Sequence, residues 1–286
     1  MNNRTKGILL LLLSAFGFAM MSMFVKLSGE LPTVQKTLFR NIISAVIAFG
    51  FVVYNKERIF GKKENQKLLL LRSSLGTLGM VLYFYAIDHL VLSDADMLNK
   101  LSPFLTILFA AWFLKERTKP FQIVSVLVAF GGTLFIIKPA FSLDLIPYLA
   151  GVSSAIFAAG AYTVLRVLGS KEQFYTVVFY FSFFTTVVLT PFTIIYFEPM
   201  SFQQVTYLLL AGLFATLGQF GITIAYSYAP AKEISIFFYS TVVYTAIISI
   251  VLFNQVPDVW SIIGYMVIFG ASFYMFLRNK RENPAS

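Results

Sequence analysis

The chain has no cysteine and only one histidine, His89, among its 286 residues. Without cysteine it can form neither a disulfide framework nor a thiolate metal site, and one histidine cannot build a metal site alone. We therefore expect no metal and no cofactor. Charged residues are scarce as well: they make up 12% of the chain, whereas a soluble domain carries about a quarter. Together with 58% hydrophobic residues, this indicates a protein whose solvent is the lipid bilayer.

What the chain does have is a succession of long apolar runs. A helix that spans a bilayer needs about 20 apolar residues, and the connections between the runs are too short for a soluble domain. We therefore predict an all-α membrane protein with ten transmembrane helices. The predicted spans are 7–28, 32–54, 67–87, 92–114, 121–138, 146–168, 174–197, 203–228, 233–253 and 259–277.

The formal net charge of +9 could suggest nucleic-acid binding, but the placement of the basic residues argues against it. They cluster in alternate connections, from Arg4 and Lys6 at the start to Arg278 and Arg281 at the end. With ten crossings and a cytoplasmic N-terminus, every cluster falls on the cytoplasmic side, in agreement with the positive-inside rule. We therefore expect both termini in the cytoplasm, a multi-pass protein of a bacterial-type inner membrane, and no nucleic-acid partner.

The first five apolar segments are echoed by the last five at an offset of about 140 residues. Ser14 is matched by Ser154, and Ala19 by Ala159. An odd number of crossings per half inserts the second half upside down, and inverted repeats of this kind are common in solute carriers. We predict two inverted five-helix repeats, at residues 1–140 and 141–286.

Small residues line one face of the fifth segment and one face of the tenth. In lipid, such faces let helix backbones approach closely, so we expect these two helices to pack together where the halves meet. The small residues are Ser125, Ala129 and Gly132 in the fifth segment, and Ser261, Gly264 and Ala271 in the tenth.

Arg40 and Lys100 lie well inside predicted spans, where ionisable residues are functional candidates by default. At 1.5 Å per residue they lie about 12 Å and about 10 Å from the outer ends of their segments. In one interpretation, Asp96 pairs with Lys100 one helical turn away, while carbonyl groups or Asp94 compensate Arg40. In the other, both cations line a water-accessible cavity and bind a carboxylate or phosphate of a substrate. Snorkelling to the interface is a third alternative.

Polar and aromatic side chains from both halves complete the candidate site. Tyrosines at mid-depth offer a flat surface with a hydrogen-bonding tip, although packing in the core or at the lipid interface would explain each of them equally. Asp96 is the candidate charge or coupling partner of the cations. The predicted substrate-binding residues are Arg40, Asn99, Lys100, Tyr83, Ser22, Tyr162, Gln219, Tyr226, Tyr239 and Tyr244.

Several short motifs, in order and spacing, resemble the drug/metabolite transporter superfamily, EamA type. They are Arg40 early in the second helix, Leu101-Ser102-Pro103, Leu114-Lys115-Glu116, and Gly131-Gly132. The resemblance implies a substrate cavity between helices one to four and six to nine, with the fifth and tenth helices as scaffold. It also implies export of amino acids or related metabolites.

The second half departs from this pattern. Gln255 stands where Glu116 has its counterpart, and no proline matches Pro103. We therefore expect the gates of the two halves to differ chemically.

The buried cations point to the class of substrate. Small-multidrug relatives exchange protons for cationic drugs through a carboxylate in the membrane, but the first segment here has no Asp or Glu, and Arg40 and Lys100 would repel a hydrophobic cation. We therefore predict a secondary transporter that moves an anionic or zwitterionic metabolite by alternating access, as an exporter or exchanger. The substrate would be an amino acid, a carboxylate or a nucleotide-like compound.

Other functions and partners remain as alternatives. A proton-coupled exporter of amphipathic drugs or amines is the main one. A membrane enzyme is a more distant one. It would need a nucleophile–base pair, a metal cluster or a carboxylate pair in the membrane, and the chain has no His-Glu-x-x-His motif and no second histidine. The expected partners are a small-molecule substrate and the lipid bilayer, with a monomer expected and a homodimer as the alternative.

Overall fold

The computed structural model describes residues 3–115, 118–137, 145–168, 171–228 and 234–282, and these residues form helices and connections without any strand. The helices of the first half are α1 Asn3–Leu27, α2 Thr33–Tyr54, α3 Gln66–His89, α4 Leu92–Asn99, α5 Ser102–Phe113 and α6 Pro120–Ile137. Those of the second half are α7 Ile146–Leu168, α8 Phe174–Ile195, α9 Phe202–Tyr228, α10 Ser240–Phe253 and α11 Val259–Glu282, with a 3-10 turn at Ser235–Tyr239 before α10.

Nine helical stretches in these ranges are long and apolar enough to cross a membrane. The tenth predicted crossing, 92–114, is divided between α4 and α5. The prediction of an all-α membrane protein is confirmed, and the predicted crossing at 92–114 is made of two consecutive helices.

The division of this crossing has a clear local cause. α4 ends at Asn99, and α5 begins at Ser102 with Pro103 in its first turn. Proline is tolerated in the first turn of a helix, where its missing N–H would have no intrahelical partner, but it interrupts a helix interior. Lys100 and Leu101 therefore lie at a break in the helix.

The second half is interrupted at the equivalent place without a proline. The 3-10 turn Ser235–Tyr239 passes into α10 at Ser240, and Tyr239 lies about 140 residues after Lys100. α4 and α10 contact each other, so the interrupted segments of the two halves face one another in the core.

The helices pack in a pattern that reflects the repeat. In repeat order α7, α8, α9, α10 and α11 correspond to α1, α2, α3, α4–α5 and α6. α1 packs on α9. Their equivalents in the other half, α7 and α3, pack on each other in the same way. The equivalent helices α2 and α8 pack directly on each other, and so do α6 and α11. This arrangement is that of two halves related by a pseudo-twofold axis.

The expected packing of the fifth and tenth transmembrane helices is confirmed, because α6 lies against α11. A Cβ atom added to Gly264 would stand 2.8 Å from the carbonyl oxygen of Gly132 and 2.6 Å from a side-chain carbon of Ile136. Only glycine at 264 permits this approach. Ile136 and Ile268 are fully buried in the same contact region.

Candidate functional site

Asp96 lies at the centre of a hydrogen-bond network that joins four helices. Its Oδ1 accepts a 2.7 Å hydrogen bond from the Tyr83 hydroxyl, and its Oδ2 accepts one of 3.2 Å from the Thr245 hydroxyl. Ser22 lies 3.0 Å from the Tyr83 oxygen and donates to it, since the Tyr83 proton is directed to Asp96. We call Ser22, Tyr83, Asp96 and Thr245 the Asp96 network. It connects α1, α3, α4 and α10, so it includes both halves.

Lys100 lies beside this network, at the break between α4 and α5. Its Nζ is 4.0 Å from Asp96 Oδ1 and 4.0 Å from the centre of the Phe238 ring. The ammonium–carboxylate separation is longer than the roughly 2.7–2.9 Å of a charge-assisted hydrogen bond. The predicted ion pair of Asp96 and Lys100 is therefore present, but in a loose form.

Arg40 is buried on α2, with 3% of its surface exposed. Its Nη1 donates a 2.8 Å hydrogen bond to Asn41 Oδ1, while its Nε has no partner. In the ranges that the structure describes, no carboxylate lies within 4.0 Å of Arg40. Asp94 does not compensate it: Asp94 Oδ1 accepts a hydrogen bond from Tyr265 instead. The interpretation that pairs Arg40 with Asp94 is wrong, because α4 directs that carboxylate towards α11.

The structure places the two predicted cations in different surroundings. Lys100 Nζ lies 4.0 Å from the carboxylate of Asp96, whereas Arg40 donates a hydrogen bond to the amide oxygen of Asn41. Lys100 is 5% exposed. Both predicted cations are therefore buried in this conformation, and the water-accessible cavity around them stays a prediction.

Arg72 on α3 was missed by the sequence reasoning. It is 5% exposed, its guanidinium lies 4.0 Å from the centre of the Phe181 ring, and its Nε and Nη1 have no partner. The signal was present, since Arg72 is an ionisable residue inside the third predicted span and therefore a functional candidate.

The remaining predicted residues divide between the core and its edges. Asn99 donates a 3.0 Å hydrogen bond to Ser154 on α7. Tyr162 is 40% exposed, whereas Tyr244 packs edge-on against Phe16. The Tyr239 hydroxyl donates to the Lys100 carbonyl at 3.2 Å. Gln219 lies partly buried on α9, and the side chain of Tyr226 lies outside the described part of the chain.

Comparison with known proteins accounts for this arrangement. Two stretches of the chain, residues 5–138 and 145–277, each match the sequence profile of the EamA-like transporter family. The chain belongs to the EamA-like transporter family. This EamA-like transporter is therefore a multi-pass membrane transporter.

Two similar proteins are named as an exporter and as a solute carrier. The pseudopaline exporter CntI of Pseudomonas aeruginosa strain UCBPP-PA14 is 34% identical over 265 residues, which cover 92% of this EamA-like transporter and 93% of the exporter. Human solute carrier family 35 member G1 is 28% identical over 278 residues, which cover 92% of the chain and 76% of the carrier. One solved crystal structure has a TM-score of 0.70 and 16% identity and covers 97% of the chain and 99% of its own, which shows a shared fold.

A second charged layer of the EamA-like transporter lies near the Pro32 end of α2. Lys36 Nζ forms a 2.6 Å ion pair with Asp88 at the end of α3. Lys26 donates to the carbonyl of Leu90 in the same region. Lys36 has a carboxylate partner, so it differs from Arg40 and Arg72. The charge that lacks compensation lies deeper in the core.

Proposed function

We propose that this EamA-like transporter moves a small anionic or zwitterionic metabolite, such as an amino acid, a carboxylate or a nucleotide-like compound. The observation that carries this proposal is Arg40, a 3% exposed guanidinium with no carboxylate within 4.0 Å in the described ranges. An unpaired charge is costly in the interior of a membrane protein. A substrate anion would offset that cost, whereas a cationic substrate would increase it.

The Asp96–Lys100 pair favours a substrate that carries both signs of charge. Its 4.0 Å separation leaves each group able to take a substrate group as a closer partner. The ammonium group of a zwitterion would approach Asp96, and its carboxylate would approach a cation. Phe238 and Tyr239 flank Lys100 and would supply apolar surface for the body of the substrate.

Alternating access is the mechanism that the packing supports best. Two halves related by a pseudo-twofold axis can rock about a shared site and open it to one side at a time. The helix breaks at Lys100 and Tyr239 lie where the halves meet and would be the points at which the path opens. The name of the pseudopaline exporter supports export, and the basic clusters support a bacterial-type inner membrane with both termini in the cytoplasm.

A second candidate function is proton-coupled export of amphipathic amines. Asp96 favours it, because this carboxylate is 2% exposed and its cation lies 4.0 Å away. In that mechanism a proton and the amine would compete for Asp96. Acidification of the liposome interior during amine efflux would distinguish this function from metabolite exchange.

Counterflow in proteoliposomes tests the proposed function. Purified protein is reconstituted, and the liposomes are loaded with unlabelled glutamate, succinate or uridine monophosphate. Uptake of the labelled compound is then measured against empty liposomes, with tetraphenylphosphonium as the cationic comparison. We expect saturable counterflow with at least one anionic or zwitterionic compound. Exchange of tetraphenylphosphonium alone would contradict the proposal.

A further inference from the structure

Arg40 and Arg72 reach the core from opposite ends of the bundle. α2 and α3 are antiparallel neighbours joined by a short connection, and they contact each other. Arg40 lies seven residues after the first residue of α2 and Arg72 six after that of α3, so they are about 10 Å and about 9 Å along their helices. The two side chains nevertheless converge. Asn41, which accepts a hydrogen bond from Arg40 Nη1, contacts Met80 Sδ at 3.2 Å. Met80 lies four residues after Gly76 on α3, where a Cβ atom would stand 3.4 Å from Arg72 Nη1.

Both guanidinium groups have buried donors without acceptors. Arg40 Nε, Arg72 Nε and Arg72 Nη1 have no hydrogen-bond partner. In the described ranges, neither group lies within 4.0 Å of a carboxylate. Buried polar groups are nearly always hydrogen-bonded, and an exception requires an explanation. Two buried cations with three unpaired donors are such an exception.

The surrounding side chains fix the orientation of each group. The Arg72 guanidinium lies over the Phe181 ring, with its central carbon 4.0 Å from the ring centre. Gly76 makes room for this stack, because a Cβ atom there would lie 2.9 Å from the Phe181 ring and 3.4 Å from Arg72 Nη1. On the other side, Asn41 holds Arg40 Nη1 and is itself anchored to the carbonyl of Thr37 at 2.7 Å.

We propose that Arg40 and Arg72 together bind one oxyanion group of the substrate, a carboxylate or a phosphate, at a locus separate from the Asp96–Lys100 pair. This inference rests on the proposed function and deepens it. The N–H groups of guanidinium match the two oxygens of a carboxylate or phosphate in bidentate geometry. Bound between the two groups, an anion would satisfy the unpaired donors. Since the two arginines come from opposite ends of the bundle, the anion would be held at mid-depth.

Thermal unfolding of the full-length protein in detergent tests this locus. The probes are sodium succinate, sodium glutamate and inorganic phosphate, each compared with sodium chloride at equal ionic strength. A compound that binds the folded state raises Tm by mass action. We expect at least one probe to raise the Tm of the wild type, and at least a tenfold higher probe concentration to be needed for the same shift in Arg40→Gln and in Arg72→Gln.

Two further variants exclude trivial explanations. Arg58→Gln removes a cation from the exposed connection between α2 and α3 and should leave the shift unchanged. Arg72→Lys keeps the charge but loses the fork of N–H groups, so it should retain a reduced shift even if Arg72→Gln were to fold poorly.

The outcomes separate this inference from the proposed function. The inference fails if none of the three probes stabilises the wild type, or if the shift persists in Arg72→Gln. A shift that depended on Lys100 but not on Arg72, together with normal counterflow, would leave the proposed function standing without this locus. An Arg72-dependent shift without any counterflow would support the locus and remove the proposed function.

Discussion

The hydroxyl of Tyr239 donates a 3.2 Å hydrogen bond to the carbonyl oxygen of Lys100, and these two residues hold equivalent positions in the two halves. Each lies at the point where its transmembrane segment is interrupted. In lipid, a carbonyl group freed by a helix break needs a donor from a neighbouring element or a polar cavity. The second half supplies that donor, so the two breaks stabilise each other across the pseudo-twofold axis.

Tyr239→Phe should therefore lower stability without altering the apolar surface of the ring. The loss of one net hydrogen bond is worth about 1 kcal/mol, and it would leave the Lys100 carbonyl unsatisfied. The measurement is Tm in detergent, with Tyr54→Phe as the matched control, since Tyr54 is 86% exposed at the end of α2. Equal Tm values for both variants would show that this hydrogen bond does not hold the breaks together.

Asp96→Asn should be strongly destabilising, because it leaves Lys100 buried without a counter-charge. Removal of one member of a buried ion pair costs about 3 kcal/mol or more, and asparagine keeps the size of the side chain. The double variant Asp96→Asn/Lys100→Gln removes both charges and should recover most of the loss. If the double variant were as unstable as the sum of the two single variants, the coupling between these residues would be absent.

Gly212 on α9 should tolerate no side chain. A Cβ atom there would lie 2.6 Å from the Arg40 carbonyl oxygen and 2.7 Å from Ile43 Cβ, so Gly212→Ala must move α9 away from α2. We expect a loss of about 1–3 kcal/mol, the usual cost of overpacking, seen as a lower Tm. Gly131→Ala is the control, because a Cβ atom at Gly131 meets nothing within 4 Å and alanine favours the helix by up to about 1 kcal/mol. A Tm for Gly212→Ala as high as that of the control would contradict this account of the contact.

Arg72→Met should leave the protein at least as stable as the wild type in the absence of any anion. Methionine keeps an unbranched apolar chain in contact with Phe181, while the unpaired charge is removed. Buried charges replaced by apolar residues of similar volume often leave a protein equally or more stable. Tm measured in chloride buffer should be equal to or higher than that of the wild type. A clear decrease would show that Arg72 has a stabilising partner.

Local patterns were sufficient to predict the helices and the scaffold contact. The length of an apolar run is enough to identify a transmembrane helix. The small residues around Gly132 and Gly264 mark the faces on which two helices approach each other. Pro103 likewise marks its helix break. The break before Ser240 carries no such mark, because it depends on the tertiary contact between Tyr239 and Lys100.

The candidate site was less predictable, because its contacts depend on how the helices are rotated. Sequence spacing put Asp96 one turn from Lys100, and that pair exists. The spacing could not show that Asp94 contacts Tyr265 or that Arg72 lies over Phe181, since each contact joins helices that are far apart in the chain. Arg40 and Lys100 were grouped because they lie at similar depths in the membrane. Depth does not show towards which neighbouring helix a side chain points.

The most direct test of the anionic-substrate account is the initial rate of counterflow in proteoliposomes that contain Arg40→Gln, with Arg58→Gln as the control. The substrate is the compound with the highest wild-type counterflow among glutamate, succinate and uridine monophosphate. Hydrogen bonds to a charged group are worth about 1.5–3 kcal/mol. Arg40→Gln should therefore raise the substrate concentration at half-maximal rate by roughly tenfold or more, while Arg58→Gln should exchange like the wild type. Normal half-saturation and rate in Arg40→Gln, in liposomes with equal amounts of reconstituted protein, would contradict the account.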